Sequence, residues 1–375
     1  MKRIYYLIVF AIALISCEKP ISEFQSENFI KFFGSGYESK GNDVIELVDG
    51  GYVITGYDKQ STLDNQIFVA KVDKNGNLAW RKTSFGKSDI KEEGKVVKEV
   101  SDGFLIAGTS ARSGITHSLI LKISLDGDSL WYKEFSDADY NITVNDIVTA
   151  DNNIYVAGYS DASKIGSTDY YISKLDNLGE TVWEKSFSIG KNSSFRKIFI
   201  REGNLLAVGK DGIENRISIV SISQSTGIPS EAVYLDEQNE KAADASLVDN
   251  QLYVLSAEGT SSTKLSKLDS NYEWVWDYKS SSPIIAKAFT YQVDGSLMVC
   301  GETIVEGNSL LHFIKINPDG TLYKDEGYFK TFGGNVERII ETRDNGLIMV
   351  GSTTPTYGMN IQLIKTDKDY FMLKK

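Results

Sequence analysis

Few side chains in this sequence have the type and spacing for acid–base, nucleophilic or metal chemistry. Two histidines, His117 and His312, occur in 375 residues, and neither has the local partners of a zinc site or a Ser-His-Asp arrangement. Catalysis by histidine is not expected, and His312 reads as a partly exposed strand residue. The carboxylate pairs Asp137/Asp139 and Asp236/Glu237 would suit a glycosidase at a separation of about 5 to 9 Å, but they fall in polar loop segments without identifiable partners. Asp73 to Asn77 and Asp126 to Asp128 gather the oxygens that calcium favours. They miss the order of a calcium loop and match the residue choice of hairpin turns. Cys300 closes an apolar run, Leu297 to Gly301, and reads as a small buried hydrophobe. We therefore expect no catalytic residue, no metal site and no cofactor. What remains is charge, with Lys95, Arg196 and Arg338 as candidates to hold an anionic group.

Those cations sit on a repeated unit. Short apolar runs end at positions 56, 108, 158, 209, 256, 301 and 351, six in glycine and one in Ser256. The separations, 45 to 52 residues, match four-stranded propeller blades. Each unit reads as four strands. The first precedes a tight turn such as Asp49-Gly50, Asp151-Asn152 or Glu202-Gly203, where Gly and Asn accept positive φ. The apolar run is the second strand, continuously hydrophobic because neighbours cover both faces. The third ends in a lysine and a second turn, as in Lys71 to Gly76 or Lys122 to Gly127. Nine residues after the lysine stands Trp80, Trp131, Trp183 or Trp276, which reads as blade-to-blade packing. The fourth unit lacks that signature and is the irregular one.

The expectation is an all-β, seven-bladed β-propeller of four-stranded antiparallel blades over residues 29 to 375. Phe29 to Gly34 reads like an outer strand, while the last unit stops soon after its third. The N-terminal strand is therefore expected to complete the last blade and remove an open edge.

Counting thirteen residues back from each closing position gives Asp43, Lys95, Asn145, Arg196, Ala243, Ala288 and Arg338. Apolar residues follow two places later in almost every copy, so this set should ring the channel mouth above a buried layer. Loops between second and third strands open on the same face and carry Tyr57, Tyr159 and Tyr357. Aromatic rings beside amides and carboxylates suit a protein or glycan partner.

Hydrophobic content of 41%, charged content of 24% and five prolines exclude collagen, extended disorder and a polytopic membrane protein. A formal charge of −11 excludes a nucleic-acid binder, which needs a basic surface. Lys2 and Arg3 precede a twelve-residue apolar run, Ile4 to Ile15, of signal-peptide length and too short to span a bilayer of about 30 Å. Leu14 to Cys17 resembles the bacterial lipobox. That resemblance implies a signal peptide over 1 to 16, lipid on Cys17, a polar tether to residue 28, and a place in the cell envelope, at the periplasmic or surface face of the outer membrane.

The recurring Lys-x-Asp-x-x-Gly-x-x-x-Trp resembles the secreted and lipid-anchored propeller repeat proteins of Bacteroidetes-type bacteria, a resemblance that implies architecture and no particular activity. Parts are similar to quinoprotein propellers, although their aspartate-to-glycine step is one residue longer than Asp73 to Gly76 and their adjacent cysteines are missing. Ser124 to Trp131 approaches a sialidase Asp-box without its spacing. The leading expectation is a monomeric, non-enzymatic binding or scaffold lipoprotein. The alternative is a carbohydrate-active hydrolase or lyase, or a degenerate quinoprotein-like enzyme, with its site at the channel mouth.

Overall fold

The computed structural model describes residues 28–369 except 60–64, 84, 86–89, 136–139, 163–165, 189–190, 213–215, 236–239, 259–261, 306–307, 329–333 and 354–357. Cys17 and its leader, Tyr357, and the pairs Asp137/Asp139 and Asp236/Glu237 lie outside the described residues.

Seven four-stranded antiparallel sheets form the propeller. Their first strands are Glu38–Glu46, Lys91–Val100, Ile142–Ala150, Ser194–Arg201, Glu240–Val248, Ile285–Tyr291 and Asn335–Glu341. These strands touch in an unbroken ring, the seventh meeting the first. Core side chains gather between blades rather than within them. Val53, Ile67 and Val69 of blade 1 pack against Val97, Phe104 and Ile106 of blade 2, and six similar described clusters fill the other interfaces. Second strands are buried on both faces as their composition predicts; in Tyr52–Lys59 all but the last residue are buried.

The ring closes through the N-terminus. Phe29–Phe33 pairs antiparallel with Asn360–Lys365, from Phe29 opposite Lys365 to Phe33 opposite Ile361, and completes blade 7. Phe29 then does what tryptophan does elsewhere. The indoles of Trp80, Trp131, Trp183 and Trp276 lie on Gly127, Gly179, Gly227 and Gly320 of the next blade, so close that a Cβ there would come within 3.0 Å of the ring. Phe29 covers Gly76 of blade 1 in the same manner, at 2.7 Å. Three indoles also donate to next-blade carbonyls, Trp80 to Leu125, Trp183 to Gln224 and Trp276 to Pro318. The recurring lysine fastens four of the blades internally: Lys71, Lys122, Lys315 and Lys365 pair with Asp49, Asp102, Asp294 and Asp344 of the first hairpin. Blade 4 is irregular, its outer strand being Val233–Tyr234 alone.

Candidate functional site at the channel mouth

Every first strand carries a β-bulge near its start. The unpaired residues are Asn42, Lys95, Asn145, Arg196, Ala243, Lys287 and Glu337, each skipped in the register with the second strand. A bulge sets two residues opposite one, so two successive side chains face the channel and form an outer and an inner tier. The bulge also explains the closing glycines. It presses a first-strand carbonyl so close that a Cβ on Gly56 would lie 1.8 Å from the Lys40 oxygen, and one on Gly158 1.8 Å from that of Thr143.

The bulges correct the ring expected from sequence. Lys95, Asn145, Arg196 and Ala243 are the bulged residues of their blades, whereas Asp43, Ala288 and Arg338 stand one position deeper. Turn length is the cause. In blades 3 to 5 the first hairpin turns on two residues with positive φ, such as Asp151-Asn152. In blades 1, 6 and 7 the turn is one residue longer, closing for example from Leu47 N to Gly51 O. Constant counting from the second strand therefore slips between tiers.

The mouth is a cavity of about 270 Å³ to which all seven blades contribute. It brings together five of the expected residues, Asp43, Lys95, Asn145, Arg196 and Arg338, and adds Lys40, Asn42, Glu93, Lys197, Asp244, Lys287 and Glu337, which sequence reasoning missed. Tyr57 and Tyr159 are not on it. Tyr57 belongs to the second strand, Tyr52–Lys59, rather than to a loop. It is buried, with its hydroxyl 2.9 Å from Glu38 Oε1, and burial followed by that bond raises its pKa. Tyr159 lies half-buried in the strand Asn153–Ser160.

The inner tier is acidic and occupied by structure. Asp43, Asp146 and Asp244, from blades 1, 3 and 5, accept backbone N–H bonds from Val97, Ile198 and Phe289 of the following blade at 2.9, 3.1 and 3.3 Å. Arg338 of blade 7 reaches both Asp43 and Asp244 at 3.5 Å, and Lys197 also reaches Asp244 at 3.5 Å. Burial alone would lower the Arg338 pKa, but Asp244, Asp43 and Asp146 together raise it. Arg338 is thus a paired cation of the channel wall.

The outer tier mostly fastens blades together. Asn42 donates to Gly94 O, Asn145 to Phe195 O and Arg196 Nε to Ala243 O, each bond crossing to the next blade at 2.7 to 2.8 Å. Lys40 and Lys287 converge on Glu337 at 3.2 and 2.9 Å. Burial would raise the Glu337 pKa, and the two ammoniums instead hold it below its usual range. Lys95 departs from this pattern, since its side chain makes no hydrogen bond or ion pair with any of the described residues. Burial lowers its pKa, Arg196 and Lys40 add to the effect, and Glu93 opposes it. Among the described residues, Arg196 bonds the protein through Nε alone and has no carboxylate within ion-pair distance.

Most of the charge at the mouth is engaged within the protein. The mouth carboxylates are engaged by amides or cations: Glu93 takes Asn42 Nδ2 at 2.8 Å, and Asp43 and Asp244 hold backbone amides as well as Arg338. Among the described residues no group of three or more His, Cys, Asp or Glu could hold a metal ion. His312 faces Asp325 in blade 6, and His117 is buried in blade 2. Cys300 is fully buried, and burial pushes its thiol pKa up.

A family profile described as a domain of unknown function (DUF5122) β-propeller matches residues 292–322. No curated protein matches the sequence. Among solved structures, the WD40 β-propeller domain of Doa1 is similar at 12% identity and a TM-score of 0.57, covering 92% of this chain and 99% of its own. The Neurospora crassa Pan2 WD40 domain reaches 0.56 at 10% identity, covering 91% and 96%. Chaetomium thermophilum Sqt1, solved bound to the N-terminus of ribosomal protein L10, reaches 0.50 at 10% identity, covering 89% and 98%. These likenesses establish a β-propeller repeat domain.

Proposed function

We propose that this chain is an envelope lipoprotein, anchored through lipid on Cys17, that acts as a non-enzymatic binding module with the mouth-bearing face of its propeller turned toward a partner. The observation that carries this reading is the division of labour at the mouth. Carboxylates that a hydrolase would need for proton transfer are committed to holding blades together, while Lys95 and Arg196 have no carboxylate within ion-pair distance among the described residues. The lipobox-like Leu14 to Cys17, behind Lys2, Arg3 and the apolar run, supports the anchor. The acidic surface that supports monomeric solubility makes a cationic mouth selective by contrast.

Two experiments test this. Cys17→Ala should release the chain from the membrane fraction of a bacterial host and abolish incorporation of labelled fatty acid; retention of both would refute the anchor. A photo-crosslinking residue at Tyr37, exposed and three residues before Lys40, should capture a partner in the native envelope. One at Val48, exposed on the first hairpin at the far end of blade 1, should not. Equal capture from both positions, or capture from Val48 alone, would overturn the assignment of the binding face.

A further inference from the structure

The mouth carries more positive charge than it needs to hold itself together, and the excess can be located. Lys197 and Arg338 of the inner tier face three carboxylates, Asp43, Asp146 and Asp244. In the outer tier four cations, Lys40, Lys95, Arg196 and Lys287, share one cavity with two anions, Glu93 and Glu337. Lys40 and Lys287 both sit on Glu337. Glu93 is within electrostatic reach of Lys95 but is hydrogen-bonded by Asn42. The outer tier is thus left with two more cations than anions, above an inner tier with one surplus carboxylate, in a chain whose formal net charge is −11.

Their placement is as informative as their number. Lys95 and Arg196 project from blades 2 and 4 on either side of Asn145, whose amide is committed to Phe195 O. The Arg196 Nε–H bond to Ala243 O fixes the guanidinium at the cavity wall and leaves its terminal nitrogens without a hydrogen bond to any described residue. A fixed guanidinium and an ammonium lining one small, partly desolvated cavity form a pairing that receives an oxyanion well. Burial disfavours the charged form of Lys95, Glu93 offsets this only in part, and a bound anion would relieve the remainder.

We infer that the outer tier between blades 2 and 4 is a binding site for a phosphate-type dianion, held by Lys95 and Arg196, with the remaining cavity taking the group that carries it. A monocarboxylate would leave one of the two surplus cations of the outer tier unmatched. This deepens the binding-module reading and rests on it. The phosphate could be free, on a lipid headgroup or on a phosphorylated sugar, and the chemistry at the two cations is the same for each.

The test is calorimetric titration of the full detergent-solubilised chain at pH 8 with methyl phosphate and methyl sulfate, which share shape and differ in charge. Methyl phosphate should bind about tenfold more tightly or better, and Arg196→Gln and Lys95→Met should each weaken it about tenfold. Inorganic phosphate, glycerol 3-phosphate and glucose 6-phosphate then separate the sources by relative affinity. Equal binding of methyl phosphate and methyl sulfate, or no binding of either to the unmutated chain, overturns the inference without relying on any variant. Lys95→Met should also raise the melting temperature without ligand, because it removes an uncompensated cation; a lowered value with unchanged methyl phosphate affinity would make Lys95 structural and likewise overturn the site. If methyl phosphate fails to bind while crosslinking persists from Tyr37 and not Val48, the dianion site falls and the binding-module reading stands.

Discussion

At the scale of single residues, burial decides which groups have chemistry left to offer. Cys300 is enclosed by Met349, Val336 and Ala288, and a thiol with its pKa pushed up by burial is a poor nucleophile at neutral pH. A thiol-specific alkylating reagent should leave it unmodified in the native chain and react fully once the chain is unfolded; rapid native modification would contradict the packing. Glu92 poses the opposite case. It is 1% exposed, and its Oε1 and Glu134 Oε1 lie 2.8 and 3.2 Å from one Tyr132 hydroxyl, which has a single proton to donate. Burial first, and Glu134 second, raise the Glu92 pKa, while the Tyr132 bond opposes them. Arg112 and Ser110 hold Glu134 ionised, so Glu92 is the member that favours a proton. The folded state then binds that proton more tightly than the unfolded chain, and stability falls as pH rises from the unfolded Glu pKa through the raised folded value. Glu92→Gln should raise the melting temperature at pH 8 and lose that advantage near pH 4. A variant less stable than the parent at pH 8 would show that the carboxylate is needed ionised.

At the scale of strands and turns, the sequence was legible wherever a contact recurs at fixed spacing. The lysine-to-tryptophan interval and the closing glycines report contacts present in several blades, Trp80 on Gly127 and Trp183 on Gly227 among them. The bulges were not legible, because an unpaired residue such as Lys95 or Glu337 obeys no residue preference that distinguishes it from its neighbours. The clue was the turn, where Asp49-Gly50-Gly51 spends one more residue than Asp151-Asn152; aligning on the turns rather than on the glycines would have restored the tiers. Glycine at the closing position is a demand of the bulge. Gly56→Ala or Gly158→Ala should destabilise the protein by about 2 to 3 kcal/mol, since the Cβ meets backbone rather than a side chain that can move. Ser256→Gly should alter stability far less, because blade 5 already accommodates a side chain there. A neutral Gly158→Ala would mean that the close approach of the Thr143 carbonyl is relaxed in solution.

At the scale of the whole molecule, the clasp and the mouth depend on each other. The mouth is a shared surface of seven blades and exists only while blade 7 meets blade 1, where Lys40 and Glu337 sit on opposite sides of the seam. Deleting residues 1 to 34 removes the strand that covers the Asn360–Lys365 edge and should produce a less stable, self-associating chain, visible by light scattering. A monomer of unchanged stability would show that the seam holds without its fourth strand. Phe29→Ala should weaken the same seam by about 2 kcal/mol, through loss of its packing on Gly76 and Tyr52.

The central claim is that Lys95 and Arg196 are held apart from protein carboxylates to receive an anion. A crystal structure of the chain grown with methyl phosphate, refined beside one grown without it, tests this most directly. We expect phosphate oxygens within hydrogen-bonding distance of both Lys95 Nζ and the Arg196 terminal nitrogens, with the Arg196 Nε bond to Ala243 retained. A mouth without phosphate in which Lys95 turns onto Glu93 and Arg196 onto Glu337 would contradict it, because the charge counted as excess would then belong to the scaffold.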